Sequence, residues 1–194
     1  MRLTPDLLVA AYCQGLFPMA EEDGTILWYD PDPRGILPLD AFHVPRRLAK
    51  TVRQARFEIR TDTAFETVMR ECAVTGPRRE ETWISGEMVH AYSELHRLGF
   101  AHSVEAWLEG ELVGGLYGVA IGGLFAGESM FSRVTDASKV AFVHLVERLR
   151  ANGFVLLDSQ YLVGPHMRQF GAIEIPAREY KKRLARAIRV KAHW

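Results

Sequence analysis

The apolar positions of this chain fall into stretches of helical spacing, alternating runs and short continuous blocks. Leu7, Leu8 and Ala11 follow Thr4-Pro5, a capping residue with proline at the first helical position, and Gly15 closes the pattern, which predicts a short N-terminal helix. From 18 to 45 proline, glycine and acidic residues crowd the chain, yet Trp28, Tyr29 and Phe42 remain, too many large apolar groups for a disordered linker. An ordered, irregular segment is expected there. A helix over 45–54, a strand over 57–60 and a helix over 64–73 follow. Met88, Ala91, Tyr92 and Leu95 share one face of a helix over 85–98, with Gly99 where a C-cap glycine belongs.

Next come apolar runs over 101–108, 112–121 and 124–131, separated by Glu109-Gly110 and Gly122-Gly123, the spacing of an antiparallel meander. Asp136 is placed to cap a helix carrying Val140, Val143, Val146 and Leu149, which Asn152-Gly153 ends. A short apolar strand over 154–157, a strand over 172–175 and a basic helix over 178–188 complete the pattern. A strand, helix, strand crossover makes its two strands parallel, so the polar residues that end them emerge at one edge of the sheet. Glu128 and Ser129 end one run, and Asp158 and Gln160 end the other. A shared ligand crevice follows from that placement. Helix caps or solvated turns would use the same residue types, and spacing alone leaves both readings open.

Composition narrows the class. With 194 residues, 48% of them hydrophobic, the chain can bury a real core. Its 24 basic and 24 acidic residues cancel, so bulk charge points to no polyanionic partner, and only the distribution is informative. Arg46, Arg47 and Lys50 cluster in one predicted helix and Lys181, Lys182 and Arg183 in another, a pattern that suits a phosphate-binding face and equally a solvated helix surface. Cys13 and Cys72 show neither metal-ligand spacing nor a disulfide framework, which fits a reducing compartment. With Asp6 and Gln14 interrupting the first amphipathic stretch, no signal peptide is expected, and the longest uncharged run is too short and glycine-split to span a membrane. A cytoplasmic monomer without metal or diffusible cofactor is the expectation. His102 and His166, lacking metal-spaced partners, read as structural.

Several strings resemble the leucyl/phenylalanyl-tRNA-protein transferase family. They are Gly15-Leu16-Phe17-Pro18, Pro31-Asp32-Pro33-Arg34, Thr82-Trp83-Ile84, Ala101-His102-Ser103-Val104-Glu105, Leu112-Val113-Gly114-Gly115-Leu116-Tyr117-Gly118, Phe125-Ala126-Gly127-Glu128-Ser129-Met130-Phe131-Ser132 and Asp158-Ser159-Gln160. They occur in order over nearly the whole chain, and Gly-Glu-Ser-Met-Phe-Ser is highly specific. The resemblance implies an α+β protein: a small N-terminal α/β domain over 1–62, then a GNAT-like catalytic domain over 63–194 with a mixed, mainly antiparallel sheet. It implies transfer of leucine or phenylalanine, with methionine a further donor, from aminoacyl-tRNA to the α-amine of proteins beginning with arginine or lysine, marking them for N-degron degradation.

By the same resemblance Glu128 orients the donor's amino group, while Asp158 and Gln160 hold the acceptor amine and assist its deprotonation. Leu116, Phe125, Met130, Phe142, Leu145 and Leu157 match the family's apolar pocket, with Ser129 beside them; Trp83, Tyr12 and Met19 match the surroundings of the terminal adenosine. Each of these apolar residues is equally a candidate for plain core. Met19 stands where many members carry tryptophan, and Ser159 where cysteine is common. Two other readings are an acyl-CoA-dependent N-acyltransferase and a non-catalytic aminoacyl-tRNA-binding module. The turn over 133–138 carries Asp136 and no glycine to cradle a pyrophosphate, which disfavours CoA.

Overall fold

A computed structural model describes residues 2–74, 82–161 and 165–194. Helix α1 (Pro5–Cys13) begins as its sequence predicts: Thr4 is extended and its hydroxyl accepts the Leu7 N–H at 3.3 Å. The stretch expected to be irregular instead holds three strands. β1 (Phe17–Ala20) and β2 (Ile26–Tyr29) form a two-stranded hairpin, and β3 (Arg34–Leu37) joins the main sheet. Each is four residues long, too short for its alternation to stand out among the prolines.

Helix α2 (Arg46–Arg53), β4 (Glu58–Thr61), α3 (Phe65–Cys72) and α4 (Gly86–Arg97) precede the meander of β5 (Ala101–Leu108), β6 (Glu111–Ile121) and β7 (Leu124–Ser132). Helix α5 (Ala137–Ala151) crosses to β8 (Leu156–Gln160), followed by α6 (Pro165–Arg168), β9 (Ile173–Ile175) and α7 (Ala177–Ala187). Two expectations shift. Asp136 occupies the N-cap position of α5 with φ +67°, but its carboxylate pairs with Lys139 at 3.2 Å while Ser132 Oγ takes the Ser138 N–H. The strand expected over 154–157 runs from Leu156 to Gln160, so Asp158 and Gln160 lie within it.

The seven-stranded sheet has the order β4-β5-β6-β7-β8-β3-β9, with β7 and β8 parallel and the other pairs antiparallel. This is the expected α+β architecture with a mixed, mostly antiparallel sheet. The division expected at residue 62 runs through this sheet, since β3 and β4 precede it and the other five strands follow. Leu37, Leu116, Phe125 and Leu157 pack on the face covered by α2 and α5. Tyr117, Val119 and Ala126 pack against α1, α3 and α4 on the other face, where Ile36, Leu124 and Leu156 meet Tyr180 and Leu184 of α7. No helix among the described residues is long and apolar enough to cross a membrane.

Helix α3 has no capping side chain of its own. Buried Glu105 on β5 does that work from another strand: its Oε1 accepts the N–H groups of Thr63 and Ala64 at 2.9 and 2.8 Å and the Ser103 hydroxyl at 2.8 Å, and its Oε2 accepts the Thr63 hydroxyl and the Trp107 indole N–H. Next to it Asp62 accepts the Ser103 N–H, the His102 ring and the Trp194 indole N–H, which pins the C-terminal residue to the sheet. Both His102 ring nitrogens are engaged, by Asp62 and the Gly99 carbonyl, and His96 Nδ1 bonds the Ala101 carbonyl. These histidines therefore knit the strand end. Glu105→Ala strands several buried donors at once, and urea unfolding should show a loss of roughly 2–4 kcal/mol. A loss under about 1 kcal/mol would mean that these donors find other acceptors.

Candidate functional site

The site lies where β7 and β8 part. Their parallel pairing runs from Leu124↔Leu156 to Ala126↔Asp158 and stops there. Each strand then carries one extra residue against its antiparallel neighbour: Glu128 between the pairs Gly118↔Gly127 and Tyr117↔Ser129, and Ser159 between Ile36↔Asp158 and Gly35↔Gln160. Bulges re-aim side chains, and here two on adjacent strands flank the same opening. Gly118 makes the first possible: a Cβ there would lie 2.4 Å from the Ala126 carbonyl oxygen and from the Phe125 ring. Beyond the second, Gln160 adopts a left-handed conformation, φ +59°.

The opening leads to a cavity of about 450 Å³, well within the size range of small-molecule sites. Leu116, Met130, Phe142, Leu145 and Leu157 form its apolar wall; Glu128, Ser129, Asp158, Ser159 and Gln160 line it from the strands, and Met19 and Trp83 from its rim. The Ala20 N–H donates to the Trp83 carbonyl at 3.0 Å, which fastens the β1 hairpin to the segment carrying that indole. Of the residues predicted from sequence, Tyr12 and Phe125 are not in the lining. Phe125 is fully buried behind the wall, stacked on Trp194. Tyr12, 2% exposed, lies under the site and acts through its hydroxyl. Tyr161 and His166 also line the cavity.

Glu128 is the centre of the polar part. Its Oε1 accepts the Tyr12 hydroxyl at 2.7 Å and the Gln160 amide N–H at 2.8 Å, and Tyr92 in turn bonds Tyr12 at 2.5 Å. Its Oε2 is buried with no partner among the described residues. Burial pushes the Glu128 carboxyl up to about 7, with the Asp158 charge adding to the shift and the two hydrogen bonds opposing it. Burial likewise pushes the hydroxyls of Tyr12 and Tyr92 well above the usual tyrosine range, so both stay protonated as donors.

Beneath this lies a cluster that sequence reasoning did not single out. Arg34, 1% exposed, forks onto fully buried Asp158: Nε to Oδ1 at 3.0 Å and Nη2 to Oδ2 at 2.7 Å. Its Nη1 donates to the Gly15 carbonyl at 2.8 Å, and its plane lies over the rings of Phe17 and Tyr180. The Tyr180 hydroxyl and the Gln160 N–H complete the carboxylate's shell. Burial works against the guanidinium's charge, but Asp158 outweighs it and raises the Arg34 pKa. Asp158 thus fixes the backbone of Gln160, and Gln160 fixes Glu128. The one clue in the sequence was the Pro-Asp-Pro-Arg string.

The basic candidates lie apart. Arg46, Arg47 and Lys50 are exposed on α2 and make no ion pair among the described residues, whereas Lys181 pairs with Asp30 and Arg183 with Glu179; Lys182 is exposed. At the start of α5 the Ala137 and Ser138 N–H groups are already bonded to the Val134 carbonyl and Ser132 Oγ, which leaves them unavailable for the pyrophosphate of CoA.

An apolar cavity whose lining holds a partly satisfied carboxylate and a fixed carboxamide suits a ligand with an apolar group and a hydrogen-bond donor. Sequence comparison gives the family. The leucyl/phenylalanyl-tRNA protein transferase profile matches residues 36–185, and that of the N-terminal domain of the same transferase matches residues 1–32. Proteins named leucyl/phenylalanyl-tRNA--protein transferase from Herpetosiphon aurantiacus and Gloeobacter violaceus are 59% and 58% identical, over 98% and 96% of this chain and 97% and 94% of their own length. This chain belongs to the leucyl/phenylalanyl-tRNA protein transferase family. Among solved structures, the C-terminal domain of a putative lysylphosphatidylglycerol synthetase from Agrobacterium fabrum is similar at TM-score 0.45 and 14% identity, covering 94% of this chain and 62% of that one.

Proposed function

We propose that this enzyme transfers leucine or phenylalanine from aminoacyl-tRNA to the N-terminal α-amine of proteins that begin with arginine or lysine, forming a peptide bond and marking the product for degradation. The observation that carries the reading is the apolar cavity with the unpartnered Glu128 Oε2 in its lining, in a chain of which 98% aligns with a relative. Burying a leucyl or phenylalanyl side chain against Leu116, Met130, Phe142, Leu145 and Leu157 is worth roughly 1.5–3 kcal/mol. Glu128 Oε2 accepts from the donor's amino group. Gln160, whose amide nitrogen is taken by Glu128, offers its carbonyl oxygen to the incoming amine. Asp158 acts through Gln160 and Arg34, since both its oxygens are occupied. With its raised pKa, Glu128 is the group suited to exchange a proton near neutrality.

Met19, Trp83 and Tyr161 surround the cavity mouth as a surface for the terminal adenosine. The exposed Arg46, Arg47 and Lys50 provide phosphate contacts, with Lys181, Lys182 and Arg183 a second basic stretch, and binding that rests on them weakens steeply with salt. The exposed acidic turn of Glu21, Glu22 and Asp23 follows Met19 and suits a basic acceptor residue. The parting of the parallel strands at the site supports reading the residues after 62 as a GNAT-like domain to which the first 62 contribute Tyr12, Met19 and Arg34. The protein acts as a cytoplasmic monomer in this reading.

The test is transfer of radiolabelled leucine or phenylalanine from tRNA to peptides beginning with arginine, lysine, aspartate or alanine. Labelling of the arginine and lysine peptides alone supports the reading. Labelling of the aspartate peptide would keep the chemistry and change the acceptor, and bound tRNA without transfer to any peptide would make the protein a binding module. Asp158→Asn keeps an acceptor for the Gln160 N–H, so single-turnover transfer should stay near the wild-type rate if positioning of Gln160 governs the step, whereas a loss of about 10²-fold or more would mean that the carboxylate itself assists deprotonation.

A further inference from the structure

Two buried polar atoms in the cavity lining have no hydrogen-bond partner among the described residues: Glu128 Oε2 and Ser159 Oγ. The carboxylate oxygen has a role in the reading above. The hydroxyl has none, and a buried hydroxyl without a partner costs roughly 1–3 kcal/mol, a cost that a ligand bonded to it removes.

The position of Ser159 indicates what that ligand atom is. Leu157 lies in the apolar wall, and Gln160 is bonded to Glu128. The Asp158 carboxylate is taken up by Arg34 and Tyr180, while Ser159, the extra residue of the bulge, lines the cavity between Leu157 of the wall and Gln160, which is bonded to Glu128. The α-carbon of an aminoacyl ester has three groups to place. With the side chain against Leu157 and the amine at Glu128, the third group, the ester carbonyl, falls beside Ser159.

We infer that the Ser159 hydroxyl donates a hydrogen bond to the carbonyl oxygen of the donor ester and stabilises the charge that develops there during attack. This rests on the aminoacyl-transfer reading. The acceptor amine nitrogen bonds to the carbonyl carbon, and the C=O electron pair moves onto the carbonyl oxygen. That pair then returns, the bond to the ribose oxygen breaks, and the proton lost by the amine ends on the ribose hydroxyl. Ser159 keeps its own proton throughout; it is a donor to the oxyanion and not a nucleophile.

The test is single-turnover transfer of phenylalanine from phenylalanyl-tRNA to an arginine-initiated peptide by wild type, Ser159→Ala and Ser159→Cys, with phenylalanyl-tRNA affinity and urea stability measured for each. A hydroxyl aimed at developing charge predicts a rate about 10- to 100-fold lower in Ser159→Ala, with tRNA affinity changed less than about twofold. The weak S–H donor of Ser159→Cys should give an intermediate rate. Stability should hold or rise in Ser159→Ala, because an unsatisfied hydroxyl is removed. Ser159→Ala at the wild-type rate, a loss confined to affinity, or a rate loss matched by a fall in stability each overturns the assignment. If wild type itself transfers nothing, the underlying reading fails instead, and the two failures are thereby distinguished.

Discussion

Arg34→Leu should cost about 3–5 kcal/mol of stability in urea unfolding, because it leaves the Asp158 carboxylate buried at 0% exposure without its cation. The guanidinium also ties the end of α1 to β3 through the Gly15 carbonyl and stacks between Phe17 and Tyr180, so packing is lost along with charge. Arg34→Lys keeps the charge but not the fork, and should recover only part of the loss. Exchanging both partners, as in Arg34→Leu with Asp158→Leu, should recover most of the stability while transfer remains at background, since Gln160 then loses the acceptor that fixes its N–H. If Arg34→Leu folded as stably as wild type, the pair would be a bystander and the positioning of Gln160 would need another explanation.

The second large effect separates catalysis from stability. Glu128→Gln should reduce single-turnover transfer by about 10²-fold or more, because the amide cannot take a proton and offers the donor amine at most one acceptor. It should also make the protein more stable than wild type at high pH. The folded carboxyl holds its proton up to about pH 7, whereas the unfolded one releases it near 4.5. As pH rises through that window the unfolded wild type gains ionisation free energy that the folded form does not, so this residue lowers stability progressively and the loss is complete above 7. The full difference is roughly 3 kcal/mol. Urea midpoints of wild type and variant should therefore diverge between pH 4.5 and 8, in favour of the variant. Parallel midpoints would show that the folded carboxyl titrates normally.

Much of the site's wall was legible through the family resemblance, which pointed to Leu116, Met130, Phe142, Leu145 and Leu157, while periodicity supplied only the helix and strands that carry them. What separates a pocket wall from solid core is an empty side, which no local pattern records. Phe125 sits one turn of the strand alternation away from the cavity and packs on Trp194, a partner 69 residues distant that periodicity does not supply. The bulges at Glu128 and Ser159 left no signal either, since each depends on how many residues the neighbouring strand presents. Arg34 was the largest omission. An arginine after Pro-Asp-Pro reads as a surface turn, and only a carboxylate 124 residues further along makes its burial tolerable.

The place of β3 between β8 and β9 bears on how the molecule is made. The chain leaves the ribosome from its N-terminus, so β3 and Arg34 emerge long before the strands that flank them and before Tyr180. During that interval the arginine has no carboxylate to bury against, and α1 has no clamp on its last turn. The cavity, lined by β8 and α6, consequently takes shape only after most of the chain has been made.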